Sequence, residues 1–355
     1  MKPDFSHRLV SIGRHFATLL VAGAAFCAAP SFASAQEPDL SGVTLNVGIF
    51  QEVQFLQIDL TNDFKNTPYK IEWVRLNGAG GTMQALGAGA IDLSWGLSDV
   101  SLPNASALDK VPWTSTNAPL KHIALLKPLD NAAYPSHVIV ANAKTGIKDL
   151  KEVKGHTFAY QEGGNSAATA LLGLQKVGLT AKDVEITRIP ADSIPASVIS
   201  GAVDVATVQW GQIQEALDKG TVKWLASADE VGFPGYTSIT ARTKSIEDAK
   251  KGAAIRDFLK RATAYSLWRR NHLDAIAQTY VKAQQLNPEQ AKKAAAGAAT
   301  VVLPLSADGE AVKVEAELID RLYKAGFLSR EVDYAPLVDA RYTDVIKAGE
   351  TAAAK

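Results

Sequence analysis

Apolar and polar residues alternate along Val43-Thr44-Leu45-Asn46-Val47-Gly48-Ile49 and along Ile71-Glu72-Trp73-Val74-Arg75-Leu76, the period of a strand with one buried face. Between them a polar-faced helix is expected from about Phe55 to Phe64. After the second strand, Asn77-Gly78-Ala79-Gly80-Gly81-Thr82 reads as a glycine-rich turn opening the short helix Met83-Gln84-Ala85-Leu86. Gly87 or Gly89 stops that helix, and Ile91-Asp92-Leu93-Ser94-Trp95 reads as a third strand. A comparable order returns later. The strand Thr157-Phe158-Ala159-Tyr160 is followed by Gly163-Gly164-Asn165-Ser166, which opens a helix from Ala167 to Val177. Gly178 ends it, Val184 to Ile189 is the next strand, Ile194 to Ile199 a short helix, and Val203 to Val208 another strand.

One echo between the halves is specific. Gly89-Ala90-Ile91-Asp92-Leu93 and Gly201-Ala202-Val203-Asp204-Val205 share a helix stop, Gly-Ala, a branched apolar residue, Asp and an apolar residue, each with a tryptophan following (Trp95, Trp210). Any helix-to-strand turn can produce such a pattern once. Together with the two glycine-led helix starts it favours two α/β lobes of similar plan. From about Ser245 the spacing becomes helical, with stripes through Ile255, Phe258, Leu259, Ala262 and Tyr265, through Leu273, Ile276, Ala277 and Tyr280, and through Leu318, Ile319 and Leu322. These read as ordinary core faces of an all-helical tail packed on the first lobe.

At 355 residues and 47% hydrophobic the chain has material for two domains. Its start changes the picture. Lys2, Arg8 and Arg14 precede an apolar stretch from Phe16 to about Ala29, and Ala33-Ser34-Ala35 offers small residues for a signal peptidase, so an export signal over 1–35 is expected, cut after Ala35. The apolar run is shorter than the roughly 20 residues of a membrane span, and Phe26 before Cys27 is unlike a lipid-attachment site. Without that segment 34 basic and 36 acidic side chains remain, which leaves no basic excess for nucleic acid. Cys27 is the single cysteine, so the mature chain has no disulfide, thiol nucleophile or cysteine-ligated metal. His122, His156 and His272 are scattered without metal-ligand spacing, and no cofactor motif is found. Asn77 to Gly81 is not a dinucleotide-binding fingerprint, and no Gly-x-Ser-x-Gly elbow occurs.

The chain resembles the nitrate-, sulfonate- and taurine-binding proteins of ABC importers, a family that includes thiamine-precursor binders. The resemblance rests on motifs in order from about Val43 to Asp344. They are Leu45-Asn46-Val47-Gly48, Met83 to Leu86 with Gly89 to Leu93, Ala118-Pro119-Leu120, Ile147 to Gly155, Gly164-Asn165-Ser166, Pro190-Ala191-Asp192 with Gly201 to Asp204, and Lys324-Ala325-Gly326-Phe327. Three features depart from it. Gln209-Trp210-Gly211-Gln212 keeps only the tryptophan of an aromatic-Trp-Asp-Pro step, Ser98 to Asn117 replaces a short proline-rich helix, and Glu52 is acidic where an anion is expected nearby.

The resemblance implies a type II periplasmic-binding-protein fold: two lobes, each a mostly parallel sheet flanked by helices, with the ligand cleft between them. Lobe 1 would hold 37–133 and 237–355 and lobe 2 134–236, with crossings near Asn131–His137 and Gly232–Thr237. Ligands of open α/β sheets lie beyond the carboxyl ends of the strands. That places Gln51, Glu52, Gly81, Thr82, Trp95, Ser98, Asp99, Gly164, Asn165, Ser166, Asp192 and Trp210 at the ligand, with His137 at the first crossing as a contact or a hinge residue. The two helix starts offer unpaired N–H groups and partial positive charge to an oxyanion, with Thr82 and Ser166 adding hydroxyls or acting only as caps. Trp95 and Trp210 would flank the apolar part of an organic ligand or fill the core. The implied protein is a monomeric periplasmic receptor, not an enzyme. It closes on a small organic anion, an aliphatic or aryl sulfonate first, and delivers it to an ABC permease in the inner membrane. A thiamine-like pyrimidine, an aromatic carboxylate, nitrate, and a sensor or delivery role are the alternatives. Thiamine-precursor synthases of this fold use a cysteine-rich site, which this chain lacks.

Overall fold

The computed structural model describes residues 38–353. The expected signal over 1–35, its cut after Ala35, and Cys27 lie outside the described residues. In chain order the strands are β1 (Thr44–Ile49), β2 (Lys70–Arg75), β3 (Leu93–Ser98), β4 (Leu120–Pro128), β5 (His137–Asn142), β6 (Thr157–Ala159), β7 (Glu185–Ile186), β8 (Val205–Gln209), β9 (Val222–Ser227), β10 (Thr237–Arg242) and β11 (Thr300–Leu303). The helices are α1 (Glu52–Ile58), α2 (Gly78–Ala88), α3 (Ser101–Leu108), α4 (Asn165–Lys176), α5 (Ile194–Ser200), α6 (Trp210–Asp218), α7 (Thr243–Glu247), α8 (Ala249–Asn271), α9 (Leu273–Gln284), α10 (Pro288–Gly297), α11 (Glu310–Lys324) and α12 (Thr343–Ala353).

One sheet runs β11-β4-β10-β3-β1-β2 and the other β7-β6-β8-β5-β9. In each, three parallel strands (β1, β2, β3; β6, β7, β8) are followed by a strand lying antiparallel to its neighbours, and then by one that runs with the first three. The antiparallel strands, β10 and β5, are the ones the chain enters after passing from one sheet to the other. Apart from the added edge strand β11, both sheets therefore share one plan.

The Gly-Ala-x-Asp echo lies at the same point of that plan. Gly89 (φ 80°) and Gly201 (φ 86°) end α2 and α5 in the left-handed conformation. A Cβ at Gly89 would stand 2.8 Å from the Arg242 guanidinium, and one at Gly201 would stand 3.4 Å from the Asn142 amide, at corresponding ends of β10 and β5. Asp92 accepts from the Asn46 N–H of β1 (3.0 Å), and its own carbonyl accepts from the Arg242 N–H (3.0 Å). Asp204 accepts from the Thr157 N–H of β6 (3.1 Å), and its carbonyl accepts from the Asn142 N–H (2.8 Å). Each aspartate thus fastens three strands together at the edge where the two parallel strands begin and the antiparallel strand ends.

Asp92 is buried. Its carboxylate also accepts a hydrogen bond from the Ser245 hydroxyl (2.7 Å) and pairs with the Lys251 ammonium (2.6 Å). Burial pushes this carboxyl up, but the hydrogen bonds from Lys251, the Asn46 N–H and Ser245 outweigh it and hold the group below the usual carboxylate range.

Two aromatic and aliphatic layers hold the rest. Phe64, Trp95, Phe258 and Tyr265 pack on the first sheet under α8. A second core runs from Leu97 of β3 and Val100 just after it, through Ile139 of β5 and Leu172 of α4, to Ile319 and Leu322 of α11. The tail is therefore not all-helical, because β11 returns to pair with β4. Nor does it serve only the first sheet. Helix α10 packs on α6, helix α11 packs on α4, and the Arg321 guanidinium donates to the carbonyls of Gly232 (2.8 Å) and Val231 (3.0 Å). Among the described residues no helix is long and apolar enough to cross a membrane.

Replacing Asp92 with alanine leaves the Lys251 charge and two buried donors without their acceptor. Urea denaturation is expected to show a loss of about 3 kcal/mol, and a clearly smaller loss for Asp204→Ala, whose side chain is one-third exposed. Because the Asp92 pKa is depressed on folding, its contribution is present above the ordinary carboxyl range and is lost as pH falls through the folded value.

Candidate functional site

The strands of each sheet end toward a common cleft of about 1070 Å³. From the first sheet it receives Phe50, Gln51 and Glu52 beyond β1, Arg75, Asn77 and Gly78 at the end of β2, and Ser98 at the end of β3. From the second come Gln161, Gly164, Asn165 and Ser166 beyond β6, Ala191 and Asp192 beyond β7, and Gln209, Trp210 and Gln212 around the end of β8. Tyr134 and His137 line it where the chain passes between the sheets. Tyr265, Arg269, Tyr280, Gln290 and Lys293 of α8 to α10 form a further wall.

Ten of the residues expected at the ligand line this space: Gln51, Glu52, Trp95, Ser98, His137, Gly164, Asn165, Ser166, Asp192 and Trp210. Gly81, Thr82 and Asp99 do not. Helix α2 begins at Gly78, a full turn earlier than the glycine-rich turn suggested, with Asn77 extended before it (φ −102°, ψ 110°). Gly81 then lies exposed on the helix flank. Thr82 is fully buried and donates its proton to the Gly78 carbonyl (3.0 Å). The part of α2 that lines the cleft is its start, Gly78 and Ala79.

Ser166 lines the cleft but also spends its proton internally. It donates to the Thr207 carbonyl (3.0 Å) and accepts from the Gln161 N–H (3.1 Å). The two hydroxyls expected to serve as ligand donors are thus both bonded to the backbone. What remains open is the backbone itself: α2, α4 and α6 have no side-chain cap at their starts, so first-turn N–H groups and the positive ends of three helices face the cleft.

The starts of α2 and α4 also meet. A Cβ at Gly164 would stand 3.6 Å from the Cβ atoms of Ala79 and Ser98. The Ser98 hydroxyl donates to Asn165 Oδ1, the Asn165 amide donates to the Tyr236 carbonyl (3.2 Å), and Ser101 donates to the Gly163 carbonyl (3.0 Å). These contacts close the cleft floor and join the two sheets there.

Trp95 and Trp210 are not equivalent. Aligning Asp92 with Asp204 sets Trp95 against Thr207, and Trp210 against Ser98. Trp95 is enclosed by Phe64, Trp73, Phe258 and Tyr265 and reaches the cleft only in part. Trp210 opens α6 and packs edge-on against Tyr134, ring centroids 5.8 Å apart. His137 opens β5. Burial pushes its imidazole down to about 4, so it is neutral in neutral solution.

On the second-sheet side the cleft runs into a side pocket of about 70 Å³ lined by His137, Gln161, Ser166, Asp192, Thr207 and Gln212. Thr207 is 1% exposed and its Oγ1 has no partner. A buried hydroxyl left unpaired costs about 1–3 kcal/mol, which marks this spot as awaiting a polar group. Sequence reasoning missed Thr207, Gln161, Arg75 and Arg269. Arg75 was legible as the last residue of a strand, whereas Arg269 sits on a helix read as core. Among the described residues no group of three or more His, Cys, Asp or Glu is placed to hold a metal ion.

Asp99 lies behind the cleft, fully buried beside Glu315 of α11; its Oδ1 accepts from the Val100 N–H (2.9 Å), while its Oδ2 and both Glu315 oxygens have no hydrogen-bond partner. Two neighbouring carboxyls buried in this way resist ionising together. Burial pushes Asp99 up to about 7, with hydrogen bonding only partly offsetting it, and burial together with Asp99 pushes Glu315 well above its ordinary value. The unfolded chain releases these protons near the ordinary carboxyl range, so the folded state binds more of them. Stability is therefore fullest below that range and falls as pH rises through about 7. Asp99→Asn is expected to raise the melting temperature at about pH 8 and to flatten its slope between about pH 5 and pH 8, as read by calorimetry.

A family profile described as NMT1/THI5 like matches residues 115–268. A putative aliphatic sulfonates-binding protein of Bacillus subtilis (strain 168) is 25% identical over 281 residues, 78% of each chain. One of Escherichia coli (strain K12) is 27% identical over 190 residues, 54% of each. The alkanesulfonate-binding protein SsuA from Xanthomonas axonopodis pv. citri, solved with MOPS, superposes with a TM-score of 0.71 at 20% identity, covering 86% of this chain and 99% of its own. The desulfurization enzyme DSZB has the same fold at a TM-score of 0.59 and 13% identity, covering 86% and 99%. The chain has the two-lobed fold of the periplasmic substrate-binding proteins, and the resemblance to their sulfonate- and nitrate-binding branch read from its motifs is borne out.

Proposed function

We propose that this chain is the solute-binding component of an ABC import system, and that it closes on a small organic anion, with aliphatic and aryl sulfonates as the leading class. The observation that carries this reading is the side pocket. It sets the uncapped start of α4 beside the unpartnered Thr207 hydroxyl and the amides of Gln161 and Gln212. Uncharged donors of this kind grip an oxyanion without a buried counter-charge. The wider cleft, with Trp210 and Tyr134 on one side and Tyr280 on another, suits an organic remainder.

Lobe 1 comprises 37–133 and 237–355 and lobe 2 comprises 134–236. The ligand favours the closed arrangement through contacts that it makes with both lobes only there. The protein is exported after cleavage behind Ala35, works in the periplasm as a monomer, and hands its ligand unchanged to a membrane permease. Naming of relatives as binding proteins supports a receptor over an enzyme.

The test is a thermal-shift screen of the mature chain against alkane- and arylsulfonates, aromatic carboxylates, nitrate and thiamine-like pyrimidines, followed by tryptophan fluorescence titration. A sulfonate is expected to raise the melting temperature and change the fluorescence. A response to nitrate alone or to a cationic pyrimidine alone would overturn the assignment of class, and conversion of the ligand would overturn the receptor reading. Thr207→Val is expected to weaken sulfonate binding by about tenfold or more. The same variant should leave the free protein as stable or stabler, because it removes an unpaired buried hydroxyl.

A further inference from the structure

We propose that Glu52 is a built-in competitor for Arg75 that restricts the cleft to singly charged anions. This deepens the anion-binding reading above and rests on it. Arg75 ends β2 at the cleft, and Glu52 stands in the first turn of α1 with its carboxylate 3.6 Å from the guanidinium. Among the described residues Arg75 has no other partner, and both side chains are more than half exposed (56% and 76%). An exposed pair at this distance is weak, so an incoming anion can displace it. The carboxylate occupies the position an anionic ligand would take, but it is held only by its own flexible stem.

The rest of the lining gives that pair its consequence. The charged side chains at the cleft are Arg75, Arg269 and Lys293 against Glu52, Asp192 and Glu215, which balance. Lys293 and Glu215 are further occupied by Glu289 (3.0 Å) and Lys219 (2.5 Å) on their own helices. Asp192, at the side pocket, has no partner among the described residues. A singly charged head seated on the backbone donors displaces Glu52 or shares Arg75 with it, and little charge is left over. Arg269 is held over the Tyr265 ring, 5.8 Å from its centroid, so a dianion of the same size meets Glu52 and Asp192 together with Arg75, and the second charge goes uncompensated. Glu52 thereby sets the charge that the cleft accepts, while the helix starts supply the grip.

Isothermal titration of the mature chain with a short alkanesulfonate, with and without competing sulfate, tests this. In the wild-type protein the sulfonate should bind, and a roughly hundredfold excess of sulfate should leave its affinity unchanged. In Glu52→Gln the sulfonate should bind about three- to tenfold tighter, and sulfate should now compete. Arg75→Gln should weaken sulfonate binding by about tenfold, and adding Glu52→Gln to it should recover nothing, as a double-mutant cycle would show. Glu52 is exposed, so the exchange leaves folding intact. The proposal is overturned if Glu52→Gln binds sulfonate no better than the wild type, if sulfate still fails to compete, or if the gain persists without Arg75. Failure of every anion to bind the wild-type chain would instead refute the functional reading, and loss of a cationic ligand on Glu52→Gln would make Glu52 a ligand contact.

Discussion

The cleft depends on two aspartates that lie far from it. Asp92 and Asp204 each fasten the entry ends of the first and third strands of a sheet to the exit end of its antiparallel strand. Strands rise by about 3.3 Å per residue, so a fixed entry end and a given strand length determine where the opposite end emerges. The loops after β1, β2 and β3, and after β6, β7 and β8, therefore come out in register. Each such loop is short and opens a helix or a helical turn, so N–H groups without partners collect at one place. Donor-rich cleft walls follow from strand fastening, without any cluster of basic residues.

The second constraint is the junction between the lobes. The floor contacts among Ser98, Ser101, Gly163 and Asn165 are direct hydrogen bonds, and behind them a continuous apolar core reaches α11. On the far side Arg321 ties α11 to the second lobe. In the proposed closure the lobes would turn about this packed region, and the neighbouring buried carboxyls of Asp99 and Glu315 lie inside it. Two like groups held together in an apolar setting are costly unless at least one keeps its proton, which makes the junction sensitive to charge.

Much of this was legible in the residues. The Gly-Ala-x-Asp echo marked the repeated plan, because left-handed glycines and a hydrogen-bonding aspartate leave a signature that is local in sequence. The glycine run at 77–82 misled by one turn: glycine disfavours helix interiors by only about 1 kcal/mol, and packing of Ala79, Thr82 and Leu86 against the core carries it into α2. Asp99 followed a strand end and so read as a cleft residue, but its neighbour Val100 begins the turn into the core. The wall from α8 to α10 left no signal, since the apolar stripe of α8 serves the core on the first sheet and those of α9 and α10 serve a small core around Ile276, Tyr280 and Ala291. What a stripe conceals is the identity of the residues on its margin, and Arg269 is one of them.

The two constraints separate grip from response. Backbone N–H groups and the amides of Gln161 and Gln212 do not titrate, and His137, the cleft group whose ordinary value lies near neutrality, is held neutral by burial down to about 4. The donors that face a ligand therefore stay the same across the neutral range. The junction does not, because burial pushes Asp99 up to about 7 and pushes Glu315 well above the ordinary carboxyl range. Under the proposed reading, a change of affinity with pH near neutrality would then arise from the cost of arranging the lobes and not from the contacts made with the ligand. Such a change would scale the binding of every ligand alike and leave selectivity where the cleft charges put it.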